Sequence, residues 1–300
     1  MLRYNSYRSH LKKRFGKPVL KIPLNAGFSC PNRNGTISAE GCSFCDNRSF
    51  SPVALTAASI IDQLQGAIDR DNGRHSAYIA YLQPFSNTYG DRKRLAEVYE
   101  PVIKYPGIIG LAVGTRPDCF SEGVLDYLED VSKRTYLSIE IGLQSGNGEV
   151  LKRNNRGHDA ESFINAVSEL SKRRIEAVAH VMIGLPFETR GQTINTAKLL
   201  ASLPVNGIKI HQLMIIAGTK AHEWYKEGKV KALTIEEYAD ILCEFLSYVR
   251  PDQLIHRIMA DSSVKNGLVA PTWSAEKGKA IKFLHEVMEK KGLVQGNLYR

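Results

Sequence analysis

The sequence predicts an α/β protein built as a partial (β/α)6 barrel with a C-terminal α/β extension. Six short β-like runs each precede a segment with helical spacing. The runs begin roughly 30 residues apart on average, which is the length of a βαβ unit. Within several runs apolar and polar residues alternate, and closing such strands into a barrel gathers the polar side chains in a common lumen.

The β-like runs and the helices between them follow one another in regular order. The runs are VLKIPLNA (19–26), AYIAYLQ (77–83), IIGLAVGT (108–115), TYLSIEIGLQ (135–144), EAVAHVMIGL (176–185) and NGIKIHQLM (206–214). Three sets of apolar residues have helical spacing: Ile60, Leu64 and Ile68; Val124, Leu128 and Val131; and Phe163, Val167 and Leu170. Ser121 and Asp159 are predicted N-caps. Repeated units of this kind favour a parallel sheet.

The alternation within the strands indicates where polar groups meet. In the fourth run Leu137 and Ile139 alternate with Ser138 and Glu140. A strand buried on both faces should instead be continuously hydrophobic. The chemistry of a barrel gathers at the C-terminal ends of its strands, and these ends carry Gln83, Arg116, Gln144 and His211. The alternative is an open sheet whose polar residues only hydrogen-bond to one another.

The βα rhythm ends near residue 215, which divides the chain into three predicted parts. These are a basic N-terminal arm (1–16), a barrel core (17–215) and an extension packed on the core (216–300). Within the extension, TIEEYADILCEFLSYV and AEKGKAIKFLHEVMEKK are predicted helices and LIHRIM is a predicted short strand.

The chain has 300 residues and a net charge of +9, with no acidic residue before Glu40. Tyr4, Tyr7 and Phe15 are interleaved with the arm's basic residues, a composition that suits phosphate contacts and base stacking as well as it suits a solvated terminal helix. No apolar run approaches the roughly 20 residues needed to cross a bilayer, and the N-terminus lacks the apolar region of a secretory signal. We expect a cytoplasmic protein that does not bind membranes.

Three of the five cysteines lie in one loop directly after the first predicted strand. Cys30, Cys42 and Cys45 have the spacing C-x11-C-x2-C. In a reducing compartment such a cluster indicates metal binding, and Cys119 and Cys243 are predicted to pack in the core. A structural zinc site needs four protein ligands. A [4Fe–4S] cluster held by three thiolates leaves one iron open, which favours a catalytic cluster.

The cysteine loop and four further segments together resemble the radical S-adenosylmethionine (SAM) superfamily. The segments are SIEIGLQSGN (138–147), LKRNNRGH (151–158), HVMIGLP (180–186) and HRIMAD (256–261). The long first gap between the cysteines departs from the usual C-x3-C-x2-C and resembles the branch that contains the catalytic subunit of Elongator and a small bacterial family. The resemblance implies a TIM-like partial barrel, a [4Fe–4S] cluster on Cys30, Cys42 and Cys45, and reductive cleavage of SAM to a 5′-deoxyadenosyl radical.

The resemblance also implies roles for side chains near the strand ends. Phe44 is expected to contact the adenine, and Gln83 or Asn87 the amino group of SAM. Glu140, Gln144 and Ser145 are expected at the ribose or the amino-acid end, and Arg156 at the carboxylate. Met182 is a further candidate cofactor contact. Lys21, Lys209 and His211, on the polar faces of their strands, are the candidate catalytic residues.

Relatives in the Elongator branch act on the wobble uridine of tRNA, so the resemblance implies modification of the C5 side chain of that base. It also implies an electron donor such as flavodoxin or ferredoxin. Two alternatives stay open at the level of sequence. One is radical chemistry on a small metabolite, and the other is a zinc-containing RNA-binding protein without catalysis.

Overall fold

A curved parallel sheet of seven strands forms the centre of the molecule. In the computed structural model, which describes residues 2–51 and 53–300, the strand order is β1-β2-β3-β4-β5-β6-β8 and every neighbouring pair is parallel. The seven strands are β1 (Leu20–Leu24), β2 (Tyr78–Leu82), β3 (Ile108–Thr115), β4 (Tyr136–Gln144), β5 (Glu176–Ile183), β6 (Gly207–Gln212) and β8 (Leu254–Arg257). The predicted α/β partial barrel is confirmed.

Helices cover the outside of this sheet. They are α1 (Tyr7–Phe15), α2 (Asn47–Phe50), α3 (Ile60–Asp71), α4 (Arg92–Ile103), α5 (Val124–Ser132), α6 (Gly148–Arg153), α7 (Ala160–Lys172), α8 (Arg190–Ser202), α9 (Lys220–Lys226), α10 (Ile235–Tyr248) and α11 (Lys277–Lys290). A small antiparallel pair, β7 (Ile215–Ile216) and β9 (Leu268–Ala270), lies apart from the main sheet. No helix in the described ranges has the length and apolar character needed to span a membrane.

The seventh strand comes from the part of the chain that was predicted to be an extension. β8 pairs in parallel with β6 and places Arg257 beside Lys209 in the register. The run LIHRIM was predicted as a short strand, but nothing in its pattern indicates that it continues the barrel. The six predicted strands therefore become seven, because a later segment returns to the free edge of β6.

The alternation predicted for β4 determines its two faces. Leu137, Ile139 and Ile141 belong to the main hydrophobic core together with helix residues such as Phe163. Glu140 points to the other side, where it lines a cavity inside the curved sheet. The outer face of the sheet is thus dry and packed, whereas the inner face holds polar groups.

One of the two predicted helix N-caps is confirmed. Asp159 caps α7, and its carboxylate accepts a hydrogen bond from the Ser162 backbone at 2.8 Å. The prediction for Ser121 is wrong: the N-cap of α5 is Gly123, in a left-handed conformation, and the Ser121 hydroxyl donates to the Gly90 carbonyl at 2.9 Å. A tertiary partner for the hydroxyl replaces the local capping bond.

The basic arm closes the end of the barrel at which the strands begin. Tyr7 on α1 is buried, stacks on His256 with ring centroids 3.7 Å apart, and has its hydroxyl 3.3 Å from that of Tyr136 at the start of β4. Phe15 packs edge-on against the Tyr136 ring. These aromatic rings are used in packing, so they do not offer the base-stacking surface that the arm's composition allowed.

Candidate active site

A cavity of about 180 Å³ opens at the C-terminal ends of the strands. All three loop cysteines line it, together with inward side chains from β2, β4, β5, β6 and β8. Two glycines on the wall have no room for a side chain. A Cβ on Gly142 would lie 2.5 Å from Arg156 Nη2, and a Cβ on Gly114 would lie 3.0 Å from the Leu82 carbonyl. At both positions protein atoms occupy the space that a side chain would need, so glycine lets Arg156 and the β2 carbonyl approach the strand backbone closely.

The cysteine loop presents its sulfur atoms to this cavity. Burial and the neighbouring Cys42 raise the pKa of the Cys45 thiol to about 11, and Cys30 adds to the rise, so the three sulfurs lie within electrostatic range of one another. Two cationic or amide groups face the middle thiol: Arg156 Nη1 lies 3.4 Å and Asn32 Nδ2 lies 3.5 Å from Cys42 Sγ. Such donors stabilise a thiolate and a sulfur cluster bound to it.

Residues 154–157 hold the cysteine loop in place. The Ser43 hydroxyl donates to Asn154 Oδ1 at 2.6 Å, and the Ser43 amide donates to the Asn154 carbonyl at 3.0 Å, across 111 residues of sequence. Asn155 donates from Nδ2 to the Gly41 carbonyl at 2.8 Å. The segment LKRNNRGH therefore acts as a bracket for the loop, and its Arg156 also donates to the Gly142 carbonyl at 2.7 Å.

Glu140 is the centre of a buried charge cluster on the floor of the cavity. It is 1% exposed and accepts hydrogen bonds from Lys21 Nζ and from Lys209 Nζ, the latter at 2.7 Å. His180 Nε2 lies 2.9 Å from Glu140 Oε2, the same oxygen that accepts from Lys209, whereas Lys21 donates to Oε1. Burial alone would raise the pKa of Glu140, but Lys209, Lys21 and His180 together outweigh burial and hold that pKa well below its ordinary value. The carboxylate is thus ionised and fully paired.

Burial has a stronger effect on the pKa of Lys209 than on that of its partner Glu140. Burial, with help from Lys21 and Arg257, lowers the pKa of Lys209 to about 7 in spite of the attraction of Glu140. Its ammonium also donates to the Tyr81 hydroxyl at 2.8 Å. A lysine with this pKa holds or releases a proton near neutral pH, which ordinary lysines do not.

His211 is neutral at the same wall. Burial, followed by the charge of Arg257, lowers its pKa well below the usual value. Nδ1 lies 3.2 Å from the Gln212 carbonyl, so this nitrogen is the donor and Nε2 is left as an acceptor. Burial likewise lowers the pKa of His180, to about 4. Two neutral imidazoles therefore accompany the lysine.

Most of the predicted site residues meet at this cavity. The predicted residues on its wall are Cys30, Cys42, Cys45, Phe44, Gln83, Glu140, Gln144, Arg156, Met182, Lys209 and His211. Lys21, Asn87 and Ser145 are not brought to the wall. Lys21 lies behind the Tyr81 ring, with Nζ 4.0 Å from the ring centroid, and contacts Glu140 from the side of the barrel that α1 closes.

Ser145 and the amide nitrogen of Asn87 bond to the protein itself, whereas Asn87 Oδ1 has no partner among the described residues. Asn87 donates from Nδ2 to the carbonyls of Leu82 at 3.0 Å and Gly114 at 2.9 Å, which ties the loop after β2 to β3. The Ser145 hydroxyl donates to Glu188, a carboxyl group whose pKa burial raises to about 7. Both residues support the strand ends from behind the cavity.

The cavity wall carries polar atoms that the described chain leaves without partners. These atoms are Gln144 Oε1, Arg156 Nε, Ser86 Oγ, Asn32 Oδ1 and Arg257 Nε. Buried polar groups need a hydrogen-bond partner, and a wall with several orphans indicates a polar ligand. Gln144 also has a left-handed backbone (φ 73°) at a register shift in β4, a conformation that aims its amide into the cavity. The donor and acceptor set fits SAM, and three thiols on one wall match the number of protein ligands of an iron–sulfur cluster with one open iron. Within the described residues no three His, Cys, Asp or Glu side chains converge closely enough to hold a single metal ion.

A few functional residues escaped the sequence prediction. Tyr81, Asn32, Arg257 and Glu188 all lie in or directly behind the wall. Tyr81 is on the inward face of β2, and the alternation along that strand could have predicted its inward position. No local signal marks Glu188, because its importance depends on burial against Ser145.

Comparison with protein families matches two consecutive segments of the chain. The model of the radical SAM superfamily matches residues 30–200, and that of the radical SAM C-terminal domain matches residues 205–290. The uncharacterized protein YtqA of Bacillus subtilis is 34% identical over 301 residues, which cover 99% of this chain and 93% of that protein. The uncharacterized protein MJ0486 of Methanocaldococcus jannaschii is 33% identical over 98% of this chain and 91% of its own length.

More distant relatives carry names that describe an activity. The tRNA uridine(34) acetyltransferase of Methanocaldococcus infernus is 26% identical over 190 residues, which cover 62% of this chain and 34% of that protein. Among solved structures, the archaeal Elp3 of the same organism superposes with a TM-score of 0.69 at 18% identity and covers 92% of this chain and 64% of its own. At this identity the superposition establishes the fold alone.

Proposed function

We propose, from the premise that the chain belongs to the radical SAM superfamily, that it modifies the C5 side chain of the wobble uridine of tRNA. Enzymes of this superfamily use a [4Fe–4S] cluster and SAM. The observation that carries the proposal is the meeting of three thiols and a charged lumen in one cavity, within a chain similar to a tRNA uridine(34) acetyltransferase. Position 34 is the wobble position of the anticodon.

Cys30, Cys42 and Cys45 would hold the cluster in this proposal. When bound, the cluster supplies the electron that cleaves SAM to methionine and a 5′-deoxyadenosyl radical. Arg156 and Asn32 donate toward Cys42 Sγ and so stabilise the thiolate. The bracket formed by residues 154–157 fixes the loop, because ligand thiols must be held rigidly for the cluster to keep an open iron.

SAM would lie between the cysteine loop and the ends of β4 and β5. The free acceptor Gln144 Oε1 suits a ribose hydroxyl, and the free donor Arg156 Nε suits a carboxylate. Phe44 and Met182, which pack in or against one apolar cluster at the mouth, suit the flat adenine and the carbon chains around the sulfonium of SAM. Gln83 completes the wall on the side of β2.

The floor of the cavity would receive the uracil ring. Lys209 Nζ, with a pKa of about 7, is placed to give or take a proton at a ring carbonyl or at the substituent. His211 Nε2 accepts a hydrogen bond from the base, and Glu140 holds Lys209 in position. Lys21 is a positioning residue, since it contacts Glu140 and the Tyr81 ring and does not line the cavity.

The target base must leave its stack to reach this floor. The cavity has a volume of about 180 Å³ and lies within the barrel beside the cysteine loop, so a base would enter it extruded from its helix rather than stacked within it. An external low-potential donor, flavodoxin or ferredoxin, would supply the electron. A reducing cytosol, the compartment expected from the sequence, suits both the thiols and this donor.

Nucleoside mass spectrometry of bulk tRNA tests the proposal. Deleting the gene should change the wobble-uridine profile, and a plasmid with the wild-type gene should restore it. The Cys243→Ala variant, altered at a buried cysteine of α10, should restore the profile equally, while Cys42→Ala should not. An unchanged profile after deletion would remove tRNA as the substrate and direct the search to a small metabolite.

A further inference from the structure

A second cavity, which we call the outer groove, lies beside the active-site cavity and is not used in the mechanism above. It has a volume of about 670 Å³, within the range of roughly 300–1,000 Å³ typical of small-ligand sites. Its walls are the cysteine loop, the end of α6 and the start of α9. Cys42, Cys45 and Phe85 line both cavities, so the two spaces adjoin at the cysteine loop.

A stacked unit of three side chains stands at the edge of the outer groove. The Arg153 guanidinium lies 3.6 Å from the centroid of the Phe187 ring, and Phe187 meets Trp224 edge-on with centroids 5.0 Å apart. Arg153 and Trp224 line the groove. Arg153 is exposed and Trp224 half-buried, so both retain surface that a flat ligand can cover.

The backbone holds aromatic side chains at this place against its own preference. Phe85 (φ 65°) and Phe187 (φ 67°) both have left-handed conformations, which are unfavourable for a residue with a side chain. Each follows a strand end at the mouth of the barrel. Such strain persists where the surrounding structure requires the ring in that position.

The groove has a small excess of positive charge, since its walls carry four basic and three acidic side chains. Arg48 pairs with Asp46 and Lys220 pairs with Glu223, and the third acidic residue is Glu40. Arg33 donates to the Cys45 carbonyl, so it is committed to the cysteine loop. Arg153, which has no acidic partner within 4 Å in the described residues, is the guanidinium left for phosphate or a base.

We propose that the outer groove binds an unpaired nucleotide next to the modified base, with its base stacked on the unit of Arg153, Phe187 and Trp224. This inference rests on the proposed function, because it takes the ligand to be a single-stranded RNA loop. With the target base in the first cavity, the neighbouring nucleotide of the same strand falls in the space that adjoins it. Stacking on aromatic and guanidinium planes tolerates any base, so the groove contributes affinity rather than sequence selection.

Fluorescence of Trp224 offers a direct test, since the chain has only two tryptophans. In the Trp273→Phe background, with the cluster reconstituted anaerobically, an anticodon stem-loop RNA should quench the emission of Trp224. A fully paired RNA of the same length should not, because its bases are inaccessible. Arg153→Ala should weaken stem-loop binding about tenfold, the effect expected for losing one stacking contact.

The matched control removes charge from the other end of the barrel. Lys12→Ala/Lys13→Ala alters two exposed cations on α1 and should change stem-loop affinity less than twofold. Equal effects of this control and Arg153→Ala, or unchanged Trp224 emission at saturating RNA, would overturn the proposal. So would a result in which Arg153→Ala weakens binding of flavodoxin but not of RNA, which would assign the groove to the electron donor.

The two proposals fail separately. If the stem-loop quenches Trp224 but deletion leaves the wobble-uridine profile unchanged, the groove binds RNA and the proposed reaction is wrong. If the profile changes and Trp224 does not respond, the reaction stands and the groove has another ligand.

Discussion

The two ends of the barrel are both rich in basic residues, yet they use them in opposite ways. At the end where the strands begin, Arg14 pairs with Glu176 and stacks over Tyr136, and the rings of α1 pack inward. At the mouth, Arg156 and Arg257 keep unpartnered nitrogens on a cavity wall. A basic composition therefore does not show which end is the functional one. The ends differ in whether their basic side chains are paired.

The comparison also explains why the lumen tolerates so much charge. Glu140 compensates Lys21 and Lys209 inside the barrel, so the floor is ionic but paired. Paired charges position one another, and unpaired ones remain available for a ligand. The function proposed here depends on this division between the floor and the wall.

The strongest way to break the comparison is to remove a thiol at the mouth. Cys42→Ala should eliminate the bound cluster: the iron content should fall from about four per chain toward zero, and the broad absorption near ~400 nm should disappear. The physical reason is that two protein thiolates cannot retain a cluster that already has one open iron. Cys243→Ala, in the core, should retain both signals, and equal iron in the two variants would contradict the assignment.

A smaller but still large difference is expected between the carboxylate on the floor of the cavity and the one at the end where the strands begin. Glu140→Gln leaves two buried ammonium groups without a counter-charge and should lower the free energy of unfolding by about 3–5 kcal/mol. Glu176→Gln removes a partly exposed pair with Arg14 and should lower it by about 1 kcal/mol or less.

Urea denaturation of both variants at pH 7 measures the difference. Similar losses for Glu140→Gln and Glu176→Gln would mean that the lumen is solvated enough to screen its charges. The expected ratio would in turn confirm that the floor depends on pairing.

The third expected effect, about 3 kcal/mol at most across the titration, concerns the pH dependence of stability. Burial raises the pKa of Glu188 to about 7 from an ordinary value near 4.5, so the folded protein binds an extra proton between these limits. Stability contributed by that proton is present at low pH and is lost as pH rises from about 4.5 through 7. Glu188→Gln cannot titrate, and its amide can still bond with Ser145 and Thr193.

The measurement is the urea midpoint of wild type and Glu188→Gln at pH 5 and pH 8. The urea midpoint of Glu188→Gln should rise relative to that of the wild type as pH increases. The midpoint of Glu236→Gln, altered on the exposed side of α10, should equal that of the wild type at both pH values. A constant difference between Glu188→Gln and wild type would place the titration of this carboxyl outside the window.

Much of the fold was predictable because the spacing of apolar and polar residues close in sequence indicates each strand and helix. The run 108–115 coincides with β3, and the alternation in 136–144 correctly assigned the faces of β4. The positions of the three cysteines, Lys209 and His211 on one cavity wall were predictable for the same reason. Asn87 and Ser121 were not, because their polar atoms bond to carbonyls brought near by the fold rather than by the sequence.

Local patterns were enough to predict the repeated βα units, the polar faces of the strands and a loop with three thiols. Three features instead depend on the folded chain: residues 154–157 hold that loop, β8 extends the sheet and the rings of the arm pack inward. The difference lies in the sequence separation of the partners. Periodicity constrains residues a few positions apart, whereas a hydrogen bond across 111 residues depends on where the whole chain places both partners.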